Sequence, residues 1–119
     1  YKDQFILNRI GLGGFIRSLE HLYKIQYNKN IKYKLIGKPA SLIFDYAKST
    51  VENINSKTLY MVGDNPEVDI QGGKNAGIKT ILLKTGVHNK PENSTEYAAD
   101  YFVDDVSKAV DLILKNHNL

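Results

Sequence analysis

There is no cysteine among the 119 residues. Its absence excludes a disulfide scaffold, a thiolate zinc site and a cysteine nucleophile, and it is compatible with a reducing compartment. No stretch approaches the ~20 consecutive apolar residues that a membrane-spanning helix needs, so no membrane partner is expected. No signal-peptide pattern opens the chain, although Tyr1 is not an initiating methionine, which leaves room for an upstream segment. The address stays open between cytoplasm and mitochondrion. Internal repeats and low-complexity segments are missing as well. Concentrated positive charge is also lacking. The formal net charge is +3, but the lysines are scattered, and the one loose group, Lys29, Lys32 and Lys34, lies beside Asn28 and Asn30. That pattern looks like compositional bias rather than a phosphate track, and no nucleic-acid partner is expected.

What remains is an ordinary globular composition, 42% hydrophobic and 24% charged, of a size for one domain or part of a larger one. Residues 1–10 (YKDQFILNRI) read as strand or linker. The glycine cluster Gly11, Gly13, Gly14 opens a helical pattern in which Phe15, Ile16, Leu19, Leu22 and Tyr23 share one face as far as about Tyr27. KYKLIG (32–37) reads as a short strand. Residues 40–54 read as an amphipathic helix with Ile43, Tyr46, Ala47, Val51 and Ile54 along one side. TLYMV (58–62) is a continuous apolar run, as expected of a strand buried on both faces of a parallel sheet. A helix over 66–76 follows, ended by Gly77. KTILL (79–83) and residues 101–103 are further strands, and Val106, Ala109, Val110 and Ile113 mark a last helix. Strands alternating with helices over short links predict an α/β fold, a Rossmann-like parallel sheet with right-handed crossovers.

The chemistry concentrates in MVGDNPEVDIQGG (61–73). In open α/β sheets, ligands bind at the carboxyl ends of strands. Asp64 stands at such an end, straight after an apolar run, where a carboxylate has little structural reason to be. Gly63 allows the turn without steric cost. Asn65 suits a helix N-cap and Pro66 a first helical position, so Asp69 falls in the first turn. Two carboxylates so placed make half a site for magnesium, a hard cation that takes roughly six oxygens. The helix dipole alone would equally favour Asp69 there. A calcium loop fails, because Pro66 occupies a ligand position. A second candidate is Lys38 in LIGKP, at a strand end, where an ammonium group suits a phosphoryl group or a carboxylate nucleophile. A solvated surface lysine is the plain alternative in a lysine-rich chain.

Other signals are weaker. GLGGFI resembles a dinucleotide loop, but Ile16 replaces its last glycine. His21, His88 and His117 show no metal-ligand spacing and read as surface or core histidines. Asn93-Ser94-Thr95 matches a glycosylation acceptor by chance. Residues 84–100 form a polar loop beyond a strand end that could line a site.

Gly37-Lys38-Pro39 and Gly63-Asp64 through Asp69 together resemble the third and fourth motifs, "GKP" and "GDxxxxD", of the haloacid dehalogenase-like (HAD) hydrolase superfamily. GDNPEVDIQGGKNAGIKTILLKTGV looks most like its NagD-type, 4-nitrophenylphosphatase-like branch. GGFIRSLEHLYK and YKLIGKP are similar to the subfamily named for the cat eye syndrome critical region. The resemblance runs from about Gly11 to the C-terminus. It implies residues 1–35 as the end of an inserted cap domain with its return linker, and 36–119 as the C-terminal half of a HAD-like core.

The resemblance further implies magnesium-dependent phosphoryl transfer through an aspartyl-phosphate, on a small phosphorylated substrate. Lys38 would stabilise nucleophile and phosphoryl group, Asp64 would bind magnesium directly, and Asp69 would support its shell. Gly63 and Asn65 would shape the loop. The family's "DxDGT"-like nucleophile motif and its phosphate-binding Ser/Thr do not occur in these residues, and Asp3 has no aspartate two places on. The chain alone is therefore expected to be inactive. It is also expected to associate with itself or with a separately supplied N-terminal half, since the strand over 58–62 would keep a bare edge. A non-catalytic binding or assembly module is the competing expectation.

Overall fold

The computed structural model describes residue 7 and residues 9–119. The strand-or-linker expectation for residues 1–10 therefore falls largely outside the described residues. The chain divides into two compact units, Tyr1–Leu35 and Ile36–Leu119.

The first unit contains helix α1, Leu12–Tyr27. It ends where Asn28 turns left-handed at φ 52° and donates its N–H to the Lys24 carbonyl, a helix stop that asparagine tolerates better than most residues. The expected apolar face is present, but Leu12, Phe15, Leu19 and Leu22 are all exposed, and the helix buries no residue. On its polar side, Arg17 pairs with Glu20 at 2.8 Å. A hydrogen bond from Tyr33, reinforced by Arg17, holds the Glu20 carboxyl below its ordinary range.

The second unit is an α/β layer structure. Its elements are α2 (Ser41–Ser49), a 3-10 turn (Ile54–Ser56), β1 (Tyr60–Gly63), a wide helical turn (Pro66–Ile70) running into α3 (Gln71–Asn75), β2 (Lys79–Leu83), β3 (Tyr101–Val103) and α4 (Val106–Asn116). The three strands are parallel in the order β1-β2-β3, with Val62 beside Ile81 and Ile81 beside Tyr101.

Strand periodicity sorts the core into two faces. Ile81 and Leu83 face Ala109 of α4, joined by Tyr60, Val62, Tyr101, Val103, Leu112 and Ile113. Leu82 faces the other way, packing with Ile70, Ala99 and Phe102. Helices thus cover both faces, and the central strand β2 is buried from Thr80 to Leu83.

Several local expectations give way. Residues 32–37 form no strand; a strand exists only when its N–H and C=O groups find a ladder partner, and among the described residues none pairs with them. The helix expected over 40–54 stops at Ser49, and its one buried residue is Phe44, while Tyr46 is 67% exposed. Phe44 turns inward because its ring lies over Gly72, where a Cβ would come within 2.6 Å of it. The 58–62 segment is only half-buried, because among the described residues β1 lies at the edge of the sheet. In α4 the inner residues are Ala109, Leu112 and Ile113, and Val106 and Val110 point outward.

Candidate functional site

β1 ends at Gly63, and the chain turns directly into a helical segment. Asn65 is the cap: its side-chain oxygen accepts the Glu67 N–H at 3.1 Å, and Pro66 follows at the first helical position. That start fixes where Asp69 goes. Asp69 lies within the first helical segment, 4% exposed, and its carboxylate turns back toward the end of β1. Oδ2 accepts the Asn65 N–H at 3.1 Å, and Oδ1 receives Lys38 Nζ at 2.5 Å. The approach is so close that a Cβ on residue 63 would sit 2.5 Å from Asp69 Cβ. Gly63 is required by that contact.

Lys38 comes from the turn preceding α2 and is about half exposed. Its ammonium group is thereby held at the carboxyl end of β1, against a carboxylate withdrawn from water. Of the residues singled out in the sequence, Lys38, Asp69, Asn65 and Gly63 meet directly.

Asp64 is held by the segment that follows β2. Its Oδ2 accepts the Val87 N–H at 2.6 Å, and its backbone carbonyl accepts the His88 N–H at 2.9 Å. Among the described residues, its other carboxylate oxygen accepts no hydrogen bond. Asp64 thus offers a free hard oxygen donor where Asp69 offers none, a division of roles that suits a metal ligand beside a supporting residue. Asp64 and Asp69 stand without a third acidic or imidazole partner, for the described residues hold no cluster of three such groups able to bind a metal.

The loop after β2 completes the surroundings. A cavity of about 330 Å³ opens beside Asn65 and Pro66, walled by Val87, His88, Glu92, Asn93 and Tyr97. Within it, Glu96 accepts a hydrogen bond that raises the Tyr97 hydroxyl above its ordinary range. His88 is buried: its Nε2 lies 2.8 Å from the Glu92 carbonyl, and its ring meets Phe102 edge-on at 5.6 Å. Of the surface and core positions open to this histidine from its sequence, it takes the core one, and the anchoring role comes from that burial. Gly86 and Val87 were hidden in the sequence, because the group that matters on Val87 is a backbone N–H.

Residues 35–109, more than half of the chain, match the family model described as HAD-hydrolase-like. The chain is similar to a cardiolipin synthase (CMP-forming)/mitochondrial hydrolase fusion protein of Schizosaccharomyces pombe, 34% identical over 98% of this chain and 21% of that one. It is also similar to the mouse phospholysine phosphohistidine inorganic pyrophosphate phosphatase, 30% identical over 89% of this chain and 37% of the relative. The chain therefore spans well under half the length of these relatives. Among solved structures, the p-nitrophenyl phosphatase of Archaeoglobus fulgidus shares the fold, with a TM-score of 0.63 and 24% identity over 87% of this chain and 40% of that one. With these motifs on this sheet, the chain belongs to the HAD-hydrolase-like family.

Proposed function

We propose that this chain supplies the lysine and acidic motifs of a magnesium-dependent phosphatase that works through an aspartyl-phosphate on a small phosphorylated substrate. The observation that carries the reading is the Lys38–Asp69 pair at the carboxyl end of β1, where Asp69 also accepts the N–H of Asn65, the residue after Asp64. A buried carboxylate there orients the ammonium group, and the ammonium is a donor suited to phosphoryl oxygens. Asp64, with one oxygen fixed and one free, is the direct ligand for the ion. Asp69, with both oxygens engaged, supports it. Gly63 and Asn65 shape the turn. When bound, magnesium would neutralise charge developing on the phosphoryl group. Two of the solved neighbours of this fold hold magnesium, which supports the choice of ion.

The nucleophile comes from outside these 119 residues, which contain no pair of aspartates two places apart. The unit Tyr1–Leu35 is the end of a cap domain and Ile36–Leu119 the C-terminal half of the core. The name of the Schizosaccharomyces pombe relative favours a mitochondrial address over a cytoplasmic one. Assays of 4-nitrophenyl phosphate with magnesium test the whole reading. The chain alone gives background turnover. Coexpression with a segment bearing a "DxDGT"-like motif restores turnover, and Asp64→Ala then removes it. Turnover that survives Asp64→Ala would refute the assignment.

Among the described residues β1 is paired on one side, which favours a second reading, an assembly module that takes up a partner strand on the other. A partner segment that docks while the pair still fails to hydrolyse phosphate esters would favour it.

A further inference from the structure

Three consecutive residues beyond β2 converge on Asp64. Gly86 adopts φ +92°, a region that favours glycine, and a Cβ there would lie 2.8 Å from Asp64 Cγ and closer still to Oδ2. Val87 gives its N–H to that same oxygen. His88 gives its N–H to the Asp64 carbonyl. The segment has its own anchor, because the buried His88 ring rests on Phe102, which packs against Ile70, Leu82 and Ala99. The sheet core thus anchors the His88 side chain, and the His88 backbone reaches the aspartate.

We propose that Gly86–His88 is a positioning clamp for Asp64. Gly86 leaves the space in which the carboxylate lies, and Val87 fixes Oδ2 with a short hydrogen bond to a charged acceptor, so the remaining oxygen is the one presented to a divalent cation. The inference rests on the metal-site reading above and adds to it the residues that aim its ligand. A glycine kept only for its turn would tolerate a methyl group equally well, or equally badly, whatever stood at position 64.

A double-mutant cycle on the full 119-residue chain separates the two. Gly86→Ala strains the backbone in any background, and that part cancels when the cycle includes Asp64→Ala, which removes the atoms in the way. Gly86→Ala is expected to lower the folding equilibrium constant at least about tenfold more with Asp64 present than in the Asp64→Ala background. Equal losses overturn the clamp. Should the single variant fail to fold, folding regained in the double variant supports it, and no recovery counts against it.

Amide spectra give an independent readout. Asp64→Asn should shift the Val87 signal upfield by more than any amide of β2, and an unmoved Val87 signal overturns the proposal. Manganese added alone should broaden Val87 and His88 before α4 in the native chain but not in Asp64→Asn. No broadening, with the Val87 shift and the coupling intact, would support the clamp and overturn the metal reading.

Discussion

Asp69 is nearly buried, and its stability depends on what meets its two oxygens. Lys38 is half solvated, so the ion pair as such contributes little. The carboxylate left behind when the lysine is removed matters more. Lys38→Met should cost about 1–3 kcal/mol, the usual penalty for stranding a buried acceptor. Urea unfolding measures it, and a loss below about 0.5 kcal/mol would mean that water reaches Asp69 freely. Gly63→Ala should cost about 1–3 kcal/mol in the same assay, because the added methyl meets Asp69 Cβ with no room to move. An unchanged midpoint would show that the helical turn shifts at no cost. At this scale the sequence was informative wherever a charge interrupted an apolar run, as Asp64 does after TLYMV and its glycine. It left His88 open between surface and core, which burial decides, and was silent about Val87, whose role depends on a main-chain donor far along the chain.

Elements were legible in proportion to how much of their environment lies in this chain. β2 and β3 form over the expected residues because both neighbours of β2 are present. The segment 32–37 carries a strand-like pattern but no ladder partner among the described residues, so pattern alone did not suffice. α2 shows the other limit. Helical spacing named Ile43 and Tyr46, yet the cleft above Gly72 selected Phe44. Side-chain chemistry also ties elements together. Asp100, one residue before β3, accepts the Thr80 N–H at 2.8 Å and the Thr80 hydroxyl at 2.9 Å. Burial alone would raise the Asp100 carboxyl, but both Thr80 hydrogen bonds, with Lys79 and Lys74, outweigh it and hold the group below its ordinary range. A depressed folded-state value contributes stability that is complete above the unfolded value of about 4 and is lost as pH falls through the folded value. Wild-type stability should therefore drop as pH falls below about 4, and Asp100→Asn should flatten that limb of the curve. Parallel acid limbs in urea titrations would remove Asp100 from the account.

For the Ile36–Leu119 unit as a whole, the sheet order decides how stability is distributed. Among the described residues, β2 has a strand on each side, whereas β1 pairs only with β2 and is half-buried. An edge with unpaired backbone groups opens more readily than a central strand and templates pairing with another chain. Hydrogen exchange on the dilute chain should find the β2 amides protected to nearly the global unfolding free energy, and the outward amides of β1 exchanging at least about a hundredfold faster. A strand docking on that edge converts those amides into ladder donors. Their exchange should slow as concentration rises if the chain pairs with itself, and at fixed concentration if a coexpressed N-terminal half supplies the strand. Because Asp64 follows directly from Gly63 at the end of β1, the same event would steady the turn that carries the site. Assembly and metal affinity should then rise together. β1 amides already as protected as those of β2 at the lowest concentration, and indifferent to any partner, would break that link between the sheet edge and the carboxylates at its end.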